Sequence, residues 1–400
     1  MPLALLALTI SAFAIGTTEF VIIGLIPTIS SDLGVSLPSA GLLVSLYALS
    51  VAVGAPVLTA LTGRVPRKLL LAGLMAFFTM GNLVAWCAPS YDSLIVARVL
   101  TGLAHGVFFS VGSIIATTLV PKDKAASAIA TMFSGMTVAF VAGIPLGTFI
   151  GQHFGWRATF FVVASFGLIA FVGALAFVPR QLAHTHPAGL LQQFRVLAQP
   201  RLALVYAMTA VGYGGSLIAF TFMAPLLEQI TGFTPSKVSI VLVTYGVSVA
   251  VSNMWGGKLA DRVGPVKALK RIFLLLAAVL FALTFTVYNP WLAAITMLCW
   301  GAVAFGNVPG LQVYLVKQAR HFAPQAADVA SGFNIAAFNL GVAGGSSLGG
   351  LIVAHLGLGH TPWIAAAMTL GAFALTTLSG HLDRREGLPE RTADLVKMTH

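Results

Sequence analysis

Apolar residues run in long blocks separated by short stretches of turn residues and charges. Six blocks lie at about 3–28, 39–61, 69–88, 93–119, 126–151 and 158–178. Six more lie at about 201–227, 237–259, 268–288, 291–316, 326–354 and 361–381. Each is long enough for a helix, at about 1.5 Å per residue, to cross roughly 30 Å of hydrocarbon. A transmembrane barrel would show blocks of roughly ten residues in strict alternation. The pattern therefore predicts an all-α membrane protein with twelve transmembrane helices. The first block is expected to remain in place, because it lacks the basic leading region of a signal peptide and eleven similar blocks follow it.

Composition narrows the class. Of 400 residues, 58% are hydrophobic and 8% charged, against about a quarter charged in soluble domains. That excludes a soluble enzyme and a disordered chain. A net charge of +11 would suit nucleic acid only on the basic face of a solvated domain. Here nineteen of the 22 basic residues sit after the even-numbered blocks or in the tail. Arg157 and Lys237 lie on the opposite side, and Arg98 lies inside block 4. No nucleic-acid partner is expected. The excess instead places both termini in the cytoplasm. Cys87 and Cys299 both lie in apolar runs and suggest no disulfide framework.

A shift of 198 residues superposes the halves: Gly16 on Gly214, Pro27 on Pro225, Tyr47 on Tyr245, and Ala139, Phe140, Gly143, Gly147 and Gly151 on Ala337, Phe338, Gly341, Gly345 and Gly349. Six blocks per half leave both copies in the same orientation, a known transporter design with a site near mid-membrane. The expected organisation is a six-helix bundle over 1–180, a polar cytoplasmic linker over 181–200, and a second bundle over 201–400 with a short tail.

Several motifs carry a family resemblance. They are Gly16-Thr17-Thr18-Glu19-Phe20, Gly63-Arg64-Val65-Pro66-Arg67-Lys68, Arg98-Val99-Leu100-Thr101-Gly102 with His105-Gly106, and Gly143-Ile144-Pro145-Leu146-Gly147. Gly155-Trp156-Arg157, Gly257-Lys258-Leu259-Ala260-Asp261-Arg262, and Asn334 with Phe338-Asn339-Leu340-Gly341 complete the set. With these, the chain resembles the major facilitator superfamily, in particular drug:proton antiporters of the arabinose-efflux-permease-like and sugar-efflux type. The resemblance implies the major facilitator fold, two pseudo-symmetric six-helix bundles. It also implies proton-coupled export of sugars or drugs across the bacterial inner membrane by alternating access. The glycine-rich segment 5 with Pro145 resembles the antiporter signature, which implies export by exchange. In the 8–9 loop, Asp261 and Arg262 resemble the superfamily's conformational lock. The 2–3 loop departs from it, because Gly63 precedes Arg64 where Asp261 precedes Arg262.

Among eleven acidic residues only Glu19 sits well inside a block, and Arg98 is the only basic residue so placed. An intramembrane charge costs about 2.5–3.5 kcal/mol and marks a functional site by default. Counted along their helices, Glu19 and Arg98 share a level toward the non-cytoplasmic side. Leu217 and Thr296 take their places in the second half. Glu19 is expected to carry a proton, with Arg98 answering its charge; the alternative is a fixed pair holding helices 1 and 4. Thr101 and His105 follow Arg98 on one face. His105 is either a relay, a substrate contact or a neutral side chain bonded to backbone.

Polar and aromatic residues near mid-span outline a substrate site: Thr18, Phe20, Tyr47, Thr101, Phe108 and Met136, then Tyr213, Phe220, Tyr245, Asn307, Gln312, Asn334 and Asn339. Packing is the competing reading for the aromatics and Met136. Small residues at every fourth position in segments 5 and 11 let backbones approach closely. The nine histidines are scattered, so no metal or cofactor is expected. Metalloprotease, Gly-x-Ser-x-Gly and phosphate-loop patterns are absent, which argues against an enzyme or an ATP-driven pump. An importer or uniporter with a structural Glu19, and sodium in place of protons, remain open. One chain holds both halves, so a monomer suffices.

Overall fold

The computed structural model describes residues 3–62, 65–121, 125–179, 196–323 and 327–387. Among them every regular element is a helix. Twelve are long and apolar enough to cross a membrane. In the first half these are α1 (Leu3–Leu33), α2 (Leu37–Leu61), α3 (Arg67–Trp86), α4 (Tyr91–Thr118), α5 in pieces (Ala125–Val138, Ala139–Gly143 and Ile144–Phe154) and α6 (Trp156–Phe177). In the second half they are α7 (Pro200–Phe220 and Met223–Gln229), α8 (Pro235–Val263), α9 (Pro265–Thr286), α10 (Pro290–Ala304 and Asn307–Phe322), α11 (Ala327–His355) and α12 (Thr361–Arg385). Four helices run past their expected ends by four or more residues: α1 to Leu33, α8 to Val263, α10 to Phe322 and α12 to Arg385. Most of the anticipated linker, with Arg180 and Arg195, lies outside the described residues, as do Gly63 and Arg64.

Three spans are interrupted, each at the carbonyl four residues before a proline. A proline ring has no N–H for that carbonyl and clashes with it. In α5 the π-helical turn Ala139–Gly143 surrounds Val141, four before Pro145. In α7 the helix stops after Phe220, beside Thr221, four before Pro225. In α10 it stops after Ala304, beside Phe305, four before Pro309. Pro27 and Pro56 sit inside helices that continue.

The chain divides into two compact units, Met1–Pro187 with Pro235–Val243, and Ala188–Thr234 with Thr244–His400. In the first, the small residues of α5 press on α1. A Cβ at Gly143 would lie 2.2 Å from Thr17 Oγ1, and one at Gly147 2.5 Å from Val21 Cγ2. In the second, α11 meets α7 backbone to backbone: a Cβ at Gly345 would lie 2.2 Å from the Gly214 carbonyl oxygen. Backbone contact of this kind replaces the hydrophobic drive that lipid cannot supply.

Candidate functional site

A capping box between Ser90 and Ser93 starts α4. Three turns later α4 lies against α2, where a Cβ on Gly102 would fall 2.6 Å from the Tyr47 carbonyl oxygen. Seven helical residues rotate about 20° short of two full turns, so Arg98 and His105 face the same way. Both face Tyr47 of α2 and Glu19 of α1, and all four side chains are buried.

Arg98 forms no ion pair with Glu19 among the described residues, which counts against the fixed-pair alternative. Its guanidinium donates to main-chain carbonyls: Nη1 to Thr18 (2.6 Å), Nη2 to Glu19 (3.3 Å) and Nε to Leu43 (3.2 Å). It also lies 4.1 Å over the Tyr47 ring. Charge-assisted bonds of about 1.5–3 kcal/mol each, with the cation–π contact, offset the desolvation of a side chain only 1% exposed. Among the described residues the ionisable group within 4 Å of the Glu19 carboxylate is His105, with Nδ1 3.9 Å from Oε2, while the Arg98 charge also acts on it. That Oε2 is buried and has no hydrogen-bond partner among the described residues. His105 Nδ1 is 3.0 Å from the Tyr47 hydroxyl. Arg98 thus ties α4 to α1 and α2, while Glu19 keeps an open oxygen.

The rest of the anticipated first-half set is scattered around this cluster. Thr101 is a correction: three residues rotate a side chain about 60° away from Arg98. Its methyl packs toward Gly81 of α3, and its hydroxyl returns to the Ala97 carbonyl (2.8 Å). Thr18 also faces α3, donating to Asn82 Oδ1 (2.6 Å), and Asn82 donates to the Phe78 carbonyl (2.9 Å). Phe20 pairs with Phe140 at 4.6 Å. Phe108 sits in the apolar core beside Phe109, and Met136 is half-buried against Gly16.

In the second unit Thr209 donates to Asn334 Oδ1 (2.8 Å), Asn334 donates to Gln312 Oε1 (2.8 Å), and Gln312 donates to Ser331. This chain joins α7, α10 and α11. Tyr213 meets Phe305 and Phe338 edge-on, at 5.3 and 5.2 Å. Phe220 stacks on Tyr245, and Trp300 closes the group while donating to Ser216 (3.0 Å). Asn307 donates to the Ala304 carbonyl across the α10 break, and Asn339 donates to the Ile335 carbonyl. The Oδ1 atoms of both are buried without a partner among the described residues, as is the Tyr245 hydroxyl.

The second-half counterpart of Arg98 is not Thr296. A Cβ on Gly102 would meet Tyr47 O and Ser50 Cβ, and one on Gly301 would meet Tyr245 O and Ser248 Cβ. Helix packing therefore equates Gly102 with Gly301, one residue beyond the 198 shift. Arg98 then corresponds to Met297, and His105 to Ala304.

Asp261 and Arg262 are exposed near the end of α8, and neither forms an ion pair among the described residues. Among those residues no three His, Cys, Asp or Glu side chains gather to hold a metal. One buried cluster escaped the sequence reading. Arg201 of α7 pairs with Asp383 of α12, which also accepts from Tyr314 (2.9 Å) and Gln318 (2.8 Å). The available signal was the run Thr369, Thr376, Ser379 and Asp383, polar and on one side of the last helix, all of it buried.

The sequence profile of the Major Facilitator Superfamily matches residues 8–329. The chain belongs to the major facilitator superfamily. This facilitator protein is a transporter and not an enzyme, a multi-pass protein of the bacterial inner membrane. It is 50% identical to the uncharacterized MFS-type transporter YtbD of Bacillus subtilis, over 96% of both chains. It is 35% identical to a chloramphenicol resistance protein of Streptomyces lividans, over 90% of each. Among solved structures, a bacterial homologue of the human lysosomal transporter Spinster superposes with a TM-score of 0.78 at 17% identity, covering 94% of this chain and 96% of that one.

Proposed function

We propose that the protein is a proton-coupled exporter of small molecules, sugars or drugs, working by alternating access with both termini in the cytoplasm. The observation that carries this reading is Glu19: a carboxylate inside a membrane span, 5% exposed, with one oxygen lacking any hydrogen-bond partner among the described residues. A buried carboxylate of purely structural use is normally saturated with donors. An open oxygen beside a histidine suits a group that gains and loses a proton. Protons are the coupling ion, and a monomer is the working unit. The resistance protein among the relatives supports export. The amides of the chain Thr209–Asn334–Gln312 support recognition of a polar solute in the second unit, and Tyr213, Phe220, Tyr245, Asn307 and Asn339 are its further contacts in this reading. In the first unit Tyr47, Phe20 and Met136 contribute. Gly143, Pro145 and Gly147 form the pliant stretch of α5, and Asp261 and Arg262 serve the conformational change.

The test is reconstitution in liposomes with internal pH recorded while arabinose, glucose and the cationic dye ethidium are offered. Substrate-dependent proton movement is expected from the wild type and is lost in Glu19→Gln, which stays folded. Full coupled transport by Glu19→Gln would rule the carrier role out. Flux without proton movement, equal in both proteins, would favour a uniporter or sodium-coupled carrier.

A further inference from the structure

His105 Nδ1 has two neighbours and one hydrogen-bonding direction. The Tyr47 hydroxyl is 3.0 Å away and Glu19 Oε2 is 3.9 Å away. A ring nitrogen accepts one hydrogen or donates one, so it serves a single neighbour at a time. The same Tyr47 ring lies under the Arg98 guanidinium, which grips the carbonyls of Thr18, Glu19 and Leu43. We infer that Tyr47 is a positioning residue for proton coupling: its hydroxyl holds His105 away from Glu19 while the carboxyl keeps its proton, and yields the ring nitrogen when the carboxylate forms. This rests on Glu19 being the proton carrier.

The step balances in protons. In the first state Glu19 is a neutral acid, His105 carries its proton on Nε2, and Tyr47 donates to bare Nδ1. The Glu19 proton then passes to Nδ1, leaving a carboxylate and an imidazolium. Loss of the Nε2 proton to water gives a neutral ring whose Nδ1–H donates to Glu19. Closing the 3.9 Å gap to a normal N–H···O length takes movement of about 1 Å. That motion occurs against the ring on which Arg98 rests, so the protonation state of α1 is felt where α4 holds α1 and α2. The titratable groups around the nitrogen are Glu19 from α1, Tyr47 from α2 and Arg98 from α4 itself. The titratable groups of α3 and α5 are Arg67, Lys68 and His153, all near helix ends.

Infrared titration of the protonated-carboxyl band in lipid-reconstituted protein tests this without a substrate. The Glu19 band is the one missing from Glu19→Gln. Tyr47→Phe keeps the ring under Arg98 and loses only the hydroxyl. It should move the band's midpoint toward lower pH by roughly one unit, the scale of one hydrogen bond. His105→Phe removes the nitrogen that serves the carboxylate and should move the midpoint the other way. Opposite shifts support the positioning role, and either variant carries the test if the other fails to fold. Unmoved midpoints, or shifts in the same direction, overturn it. A band that never titrates in the wild type would instead remove Glu19 as the carrier.

Discussion

At Asp383 one carboxylate receives the Arg201 guanidinium, the Tyr314 hydroxyl and the Gln318 amide. It is the reverse of Glu19, whose outer oxygen receives no bond among the described residues. A saturated carboxylate is part of the scaffold. Removing its charge leaves the buried guanidinium with only the exposed Glu386, 3.4 Å from Nε, and costs up to about 3–5 kcal/mol. Asp383→Leu alone should therefore lower the thermal midpoint in detergent substantially. Adding Arg201→Met should restore much of the loss, since an apolar pair of similar volume is often neutral. Equal melting of Asp383→Leu and wild type would contradict this account. Asp383 lies beyond the apolar block at 361–381, because a charge ends an apolar run. In the structure, partners from α7 and α10 carry α12 through it. No local pattern can supply partners 182 and 69 residues away.

At the scale of helices, the repeated small residues were legible because their spacing alone fixes a face. Which backbone they meet was not, since spacing says nothing of the partner. Within α11 neighbouring glycines differ sharply. Around Gly344 nothing lies within 4 Å of an added Cβ, while at Gly345 the Gly214 carbonyl is 2.2 Å away. Gly344→Ala should be neutral or stabilising by up to about 1 kcal/mol through helix propensity. Gly345→Ala should destabilise by roughly 1–3 kcal/mol by forcing α7 and α11 apart. Thermal melting of the two variants side by side decides it, and similar midpoints would mean that the contact yields freely. The proline rule has the same partial legibility. Pro145, Pro225 and Pro309 mark interruptions, whereas Pro27 and Pro56 do not.

For the whole molecule, twelve spans and the internal repeat could be read directly, because a bilayer demands long apolar helices and tolerates little else. The charge asymmetry adds a prediction on topology. A fluorescent protein fused after His400 should fold and fluoresce in the cytoplasm, and alkaline phosphatase fused there should stay inactive; the opposite pair of results would invert the orientation. Less legible was the match between halves inside each span. Gly102 and Gly301 show that α4 and α10 align one residue off the 198 shift. That single residue matters to anyone wishing to transplant chemistry from one half to the other. An arginine grafted at Thr296 would be set a third of a turn wrong, whereas Met297 and Ala304 are the seats that match Arg98 and His105. A histidine at 304 would bring a ring nitrogen toward the solitary hydroxyl of Tyr245. With a carboxylate on α7 to match Glu19, a carrier with a second proton seat becomes a design problem of three new side chains.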